Sequence, residues 1–332
     1  MSRPHARPAA SDAANGTRRA AGVPSEGYSA WSRLLPDLPK AVDADRFEFS
    51  GRAGGLSYYV DGDGPPMLLV HSINAAGSVY EVKPVFENYR GTHRVYAPDL
   101  PGFGFSERSE RRYDARLYTD AIHGMLERIA ADCGDTPVHG LALSLASEFL
   151  ARAAAEAPAR FRTLALVTPT GFTADADRLR EAEGSNREVP LLHGVLTAPL
   201  WRRGLYNLLV RPKTIRYFLK RTWGSDDYDE GLARYDDLTT HQPGAEHAPY
   251  AFLSGRLFSK DIRNVYERLQ QPVWLAHGTR GDFKDFGGAD WTAERDNWVV
   301  HPFDSGALPH FERPAEFFAA YTNFLAGTPE AT

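Results

Sequence analysis

Residues 136–155, Thr-Pro-Val-His-Gly-Leu-Ala-Leu-Ser-Leu-Ala-Ser-Glu-Phe-Leu-Ala-Arg-Ala-Ala-Ala, constrain the fold more than any other stretch. From 138 to 143 the chain is a short, mostly apolar run of strand length. After it Leu145, Phe149 and Ala153 recur at helical spacing. One hydroxyl residue, Ser144, stands between the two patterns. Strand, tight turn, serine and helix in direct succession give the geometry of a nucleophile elbow. Ala142 and Ala146 flank it at two positions on each side. Small residues belong there, because such a turn brings the strand and helix backbones too close for large side chains. A helix N-cap serine after a buried strand produces the same local pattern. The surrounding chain decides between the two.

That chain alternates strands with helices. Strand-like pieces fall at 46–50, 56–60 and 67–71, with the turn Asp61-Gly-Asp-Gly-Pro-Pro66 predicted to join the last two as a hairpin. Further strands are predicted at 94–97, 138–143, 163–168, 273–277 and 298–302. Helices are predicted at 30–42, at 117–131 with Leu117, Ile122, Leu126 and Ile129 inward, and at 315–325. Alternation of this kind implies an α/β architecture, a mostly parallel eight-stranded sheet flanked by helices. The segment 172–271 interrupts it after the sixth strand, being helical and irregular without strand signals. The expected organisation is a disordered tail at 1–27, a core at 28–171, a helical cap at 172–271 and the rest of the core at 272–327.

Composition sets the outer limits. The chain has 332 residues, 24% of them charged, and a net charge of −5, so nothing in its overall charge calls for nucleic acid. The insertion does carry seven basic residues, Arg202, Arg203, Arg211, Lys213, Arg216, Lys220 and Arg221, interleaved with aromatics. A membrane-surface or nucleic-acid reading competes there with a solvated helix opened by Pro212, with Ile215, Phe218 and Leu219 inward. The helix explains the spacing better. A lone cysteine, Cys133, excludes an internal disulfide and fits a reducing, cytoplasmic setting. No apolar run has the length of a membrane span, and residues 1–27 lack the apolar core of a secretory signal. His241 and His247 bracket a loop but are too few for a metal site, so no metal or cofactor is expected.

Ligands of open α/β sheets bind beyond the carboxyl ends of strands, which directs attention to the loops there. The strand at 67–71 runs into His71-Ser-Ile-Asn-Ala-Ala-Gly-Ser78, a loop of small residues able to aim backbone N–H groups at an anion. The strand at 273–277 runs into a loop with two carboxylates, Asp282 and Asp285. The strand at 298–302 runs into a loop carrying His310. A histidine and an acid on neighbouring strand ends are what a serine needs to become a nucleophile.

On these pieces, together with Asp99-Leu-Pro-Gly-Phe-Gly-Phe-Ser106 and Pro309-His-Phe-Glu-Arg-Pro314, the chain resembles the α/β-hydrolase fold superfamily, in particular its capped, esterase-like serine hydrolases. The resemblance spans about 46–325. It implies Ser144 as nucleophile, His310 as general base, Asp282 as orienting acid in preference to Asp285, and the amides of Ile73 and Leu145 as oxyanion hole. The implied partner is a small, largely apolar acyl substrate, most simply an ester. Hydrolysis of C–C bonds and perhydrolysis use the same triad, and a non-catalytic binding protein on the same scaffold is the rival from another class.

Three departures from the family pattern stand out. The elbow glycines are alanines, and His71 is followed by Ser72 rather than glycine. The family often carries Gly-His-x-Pro-His with the first histidine catalytic, and here that position is Ala307, leaving His310 alone.

Overall fold

Alternating side chains decide how this sheet is covered. In strand β3 (Pro66–Val70) Leu68 and Val70 face one apolar layer while Met67 and Leu69 face the other, the period of two that a pleated strand imposes. Both faces are apolar because helices cover both. The structure, a computed structural model, describes residues 38–176 and 179–327.

The other strands are β1 (Asp45–Gly51), β2 (Gly54–Asp61), β4 (Arg94–Asp99), β5 (Val138–Leu143), β6 (Phe161–Val167), β7 (Val273–Gly278) and β8 (Trp298–Phe303). Their order is β1-β2-β4-β3-β5-β6-β7-β8; β1, β2 and β4 pair antiparallel and every later pairing is parallel. The tight hairpin joins β1 to β2. The turn at 61–66 does not make one: it carries the chain from β2 past β4 to β3, so the expected hairpin there is wrong. Its Gly and Pro content signalled a turn, but a turn does not reveal which strands pair across it.

Helices α2 (Ala115–Cys133) and α3 (Ala146–Glu156) cover one face through Ile122, Met125, Leu126 and Phe149. On the other face lie α1 (Lys83–Tyr89), through Val85 and Phe86, and α11 (Pro314–Ala326), through Phe317 and Tyr321. The helix expected at 30–42 is not seen over its described part: residues 38–42 are irregular, with Leu38, Ala41 and Val42 buried in the second layer. Residues 1–37, including the expected tail, lie outside the described residues.

Between β6 and β7 the described chain holds six α-helices: α4 (Pro190–Thr197), α5 (Arg202–Leu209), α6 (Pro212–Trp223), α7 (Glu230–Thr240), α8 (His247–Leu253) and α9 (Ile262–Glu267). Helix α6 starts at Pro212 as its sequence predicts and buries Ile215, Leu219 and Trp223, while Lys213 and Lys220 are exposed. Phe218 is also exposed, at 51%, and packs edge-on against Tyr217. The inward stripe runs at intervals of four, which leaves residue 218 beside it rather than on it. A buried ion pair clamps the insertion to α3. Arg152 Nη2 lies 2.8 Å from Asp261 Oδ1, and Glu148 accepts the Ser259 N–H at 3.0 Å.

Candidate active site

Strand β5 ends directly in Ser144, whose φ is 50°. Left-handed backbone is costly for a residue with a β-carbon, by about 1–3 kcal/mol, and persists only where the surroundings enforce it. Here the Ser144 N–H donates to the Val167 carbonyl at 2.8 Å, tying the turn to β6, and α3 begins two residues later. Ala142 and Ala146 are fully buried, as expected where strand and helix backbones converge. Ser144 itself is half-buried.

Two backbone N–H groups near this turn are open. Leu145, ahead of α3, and Ile73, in the loop after β3, are both buried, and neither N–H has an acceptor among the described residues. The loop holding Ile73 is set by a residue that sequence reasoning missed. Glu81 accepts the Ser72 N–H at 2.7 Å, the Ser72 hydroxyl at 2.9 Å and the Asn74 side-chain amide at 2.8 Å. Burial raises the Glu81 pKa, and these three donors pull it back. The signal was a single acid inside the apolar run 79–86. Ser72, a departure from the family's glycine, is thus a working part of the loop.

His71 is held as its position at a strand end suggests. Its Nδ1–H donates to the Ser72 carbonyl at 2.7 Å and its Nε2 accepts from the Leu100 N–H at 2.9 Å. The run after β4 braces the same region. Asp99 accepts from the Phe105 N–H at 2.9 Å and from the Val79 N–H at 3.3 Å. Gly104, at φ 50°, is required there: a β-carbon would sit 2.0 Å from Asp99 Oδ1.

The remaining two sequence-predicted residues do not join Ser144. His310 lies in the short helix α10 (Pro309–Glu312), fully buried, with Nε2 bonded to the Glu81 carbonyl at 2.7 Å and Nδ1 without any partner. Neither ring nitrogen meets the serine hydroxyl or a carboxylate. Asp282 is at the surface in an ion pair with Arg221, and Asp285 accepts backbone N–H groups of Gly287 and Ala174. The hydrogen-bonded triad expected from strand-end positions is therefore not assembled. The reason is local: at 307, where the resemblance puts a catalytic histidine, stands a buried alanine. Its carbonyl accepts from the Thr168 hydroxyl at 2.7 Å and its N–H donates to Thr222 at 2.9 Å.

Among the described residues no group of three His, Cys, Asp or Glu side chains is arranged to hold a metal, and no helix is long and apolar enough to cross a membrane.

A family model described as "alpha/beta hydrolase fold" matches residues 65–216. The chain is 28% identical over 269 residues to a pimeloyl-[acyl-carrier protein] methyl ester esterase of Nitrosomonas europaea, covering 78% of this chain and 95% of that one. Among solved structures it is similar to a probable hydrolytic enzyme from Pseudomonas aeruginosa PAO1, at TM-score 0.64 and 19% identity over 89% of this chain and 97% of that one. It is also similar to a meta-cleavage product hydrolase from Pseudomonas fluorescens IP01, at TM-score 0.65 and 18% identity over 85% and 98%. The strand order, the left-handed serine after β5 and these matches together show that the chain has the α/β-hydrolase fold.

Proposed function

We propose that Ser144 is the reacting group of an acyl hydrolase, that the amides of Ile73 and Leu145 are its oxyanion donors, and that a carboxylic ester is its simplest substrate. The observation that carries this reading is the strained φ of 50° at Ser144, with the Leu145 N–H next to it and the Ile73 N–H in the loop after the neighbouring strand both lacking acceptors among the described residues. The Nitrosomonas europaea relative, a methyl ester esterase, supports an ester as the bond attacked.

In this reading the Ser144 oxygen attacks the carbonyl carbon, the two amides neutralise the charge that develops on the carbonyl oxygen, and water later clears the acyl-enzyme. Asp282 and His310 complete the triad only if both leave their present partners. As placed, His310 spends Nε2 on the Glu81 carbonyl, so the serine proton passes to solvent. The proposed enzyme is accordingly a slow one, with the helical insertion acting as its cap.

A ligand-binding protein without turnover is the second reading, favoured by Ala307 and by the engagement of His310 and Asp282 elsewhere. Hydrolysis of p-nitrophenyl esters of graded acyl length separates the two. Slow turnover that Ser144→Ala reduces by about tenfold or more supports the hydrolase. Equal rates in the two proteins support the binder.

A further inference from the structure

Arg108 follows the 99–106 run, and its side chain ends beneath the helical insertion, only 8% exposed. Nη2 donates to the Thr239 hydroxyl of α7 at 3.2 Å and more weakly to the Thr239 carbonyl at 3.5 Å. Nε and Nη1 have no partner among the described residues. Asp99 is a carboxylate whose charge bears on it, but no ion pair forms between them, and both Asp99 oxygens are already taken by the Val79 and Phe105 amides. A buried guanidinium with donors left over is costly, and chains keep one where something pairs with it.

The surroundings connect this cation to the reacting centre. Tyr206 of α5 and Tyr235 of α7 lie close enough to interact with Arg108, and the Tyr206 hydroxyl donates to the carbonyl of Ala75, two residues from Ile73. The insertion closes over the arginine's own backbone: a β-carbon at Gly244 would sit 2.4 Å from the Arg108 carbonyl oxygen. Burial also pushes the guanidinium pKa down to about 10, which still leaves it charged near neutral pH.

We infer that Arg108 anchors a carboxylate borne by the ligand, so that the substrate is an acyl compound with a free carboxylate in addition to the ester. The inference deepens the acyl-hydrolase reading and rests on it for the ester half. A carboxylate suits the site better than a phosphate, because a single charge offsets the guanidinium while a dianion would add repulsion against Asp99.

Calorimetric titration with adipate, monomethyl adipate and dimethyl adipate tests this on the full chain, alongside Ser144→Ala, Arg108→Gln and Arg108→Lys. The expected result is that both carboxylates bind wild type and Ser144→Ala alike, about tenfold or more tighter than the neutral diester. Arg108→Gln is expected to abolish the preference and Arg108→Lys to restore part of it. Equal binding of the three compounds by wild type overturns the inference, as does an undiminished preference in Arg108→Gln. Tighter binding of inorganic phosphate than of adipate overturns the choice of carboxylate. If Arg108→Gln does not fold, Arg108→Lys is read alone, and an unchanged preference there contradicts the inference. Preferential binding without turnover would defeat the hydrolase reading while leaving the anchor standing. Ser144-dependent turnover of p-nitrophenyl esters without preference would do the reverse.

Discussion

His310 points its Nε2 at the carbonyl oxygen of Glu81, 2.7 Å away, and leaves its buried Nδ1 with no partner. That bond links the loop after β8 to the residue that shapes the loop holding Ile73, since the Glu81 carboxylate receives Ser72 and Asn74. The histidine is thus a brace between two strand-end loops. A base for Ser144 would need a nitrogen free to face it.

The brace has a pH signature. Burial pulls the His310 pKa down from 6.5 to about 4, so between those values the unfolded chain binds a proton that the folded chain refuses. Its contribution is whole above pH 6.5 and is lost as pH falls toward 4, amounting to about 3 kcal/mol over that window. His71, also lowered to about 4, acts in the same direction, while the raised carboxyls of Glu81 and Asp99 act oppositely. Urea unfolding of His310→Gln against wild type isolates the one group. The variant should be less stable at pH 7.5 by about 1–2 kcal/mol for the lost hydrogen bond, with the gap closing as pH falls and reversing by about pH 4.5, because the acid loss of wild type exceeds it. A gap independent of pH would contradict the assignment.

What could be read in the sequence followed periodicity and local turn chemistry. Strand β5 and its serine, the α6 start at Pro212 and the helical character of the insertion all have short-range causes, and the structure agrees with them. The pairing of β2 with β4 rather than β3 was not legible, because strand order is set by tertiary packing. Nor was the engagement of His310. Its chain spacing suited a base, yet the carbonyl that captures it is supplied from residue 81.

The clamp between the insertion and α3 gives a second prediction. Arg152 and Asp261 form a nearly buried pair, with side chains 11% and 2% exposed. Asp261→Ala strands the guanidinium and should cost about 3–5 kcal/mol in urea unfolding. A loss under about 1 kcal/mol would mean that the pair is not what holds the insertion down.

Position 307 offers a gain of function. Ala307→His restores the family's first histidine in the loop after β8, and general-base help is worth up to about 10²–10⁴-fold. A rise of about tenfold or more in kcat/KM for p-nitrophenyl esters is expected from the folded variant. No rise would show that the missing histidine is not what limits the rate.

Labelling by a fluorophosphonate probe, with the modified residue mapped by mass spectrometry, reaches the central claim most directly. The expected result is slow modification at Ser144 that vanishes in Ser144→Ala and survives in His310→Gln, because that imidazole is bonded to the Glu81 carbonyl and does not act as the serine's base. Folded wild-type protein left unmodified at Ser144, or modification abolished by His310→Gln with the fold intact, would contradict it.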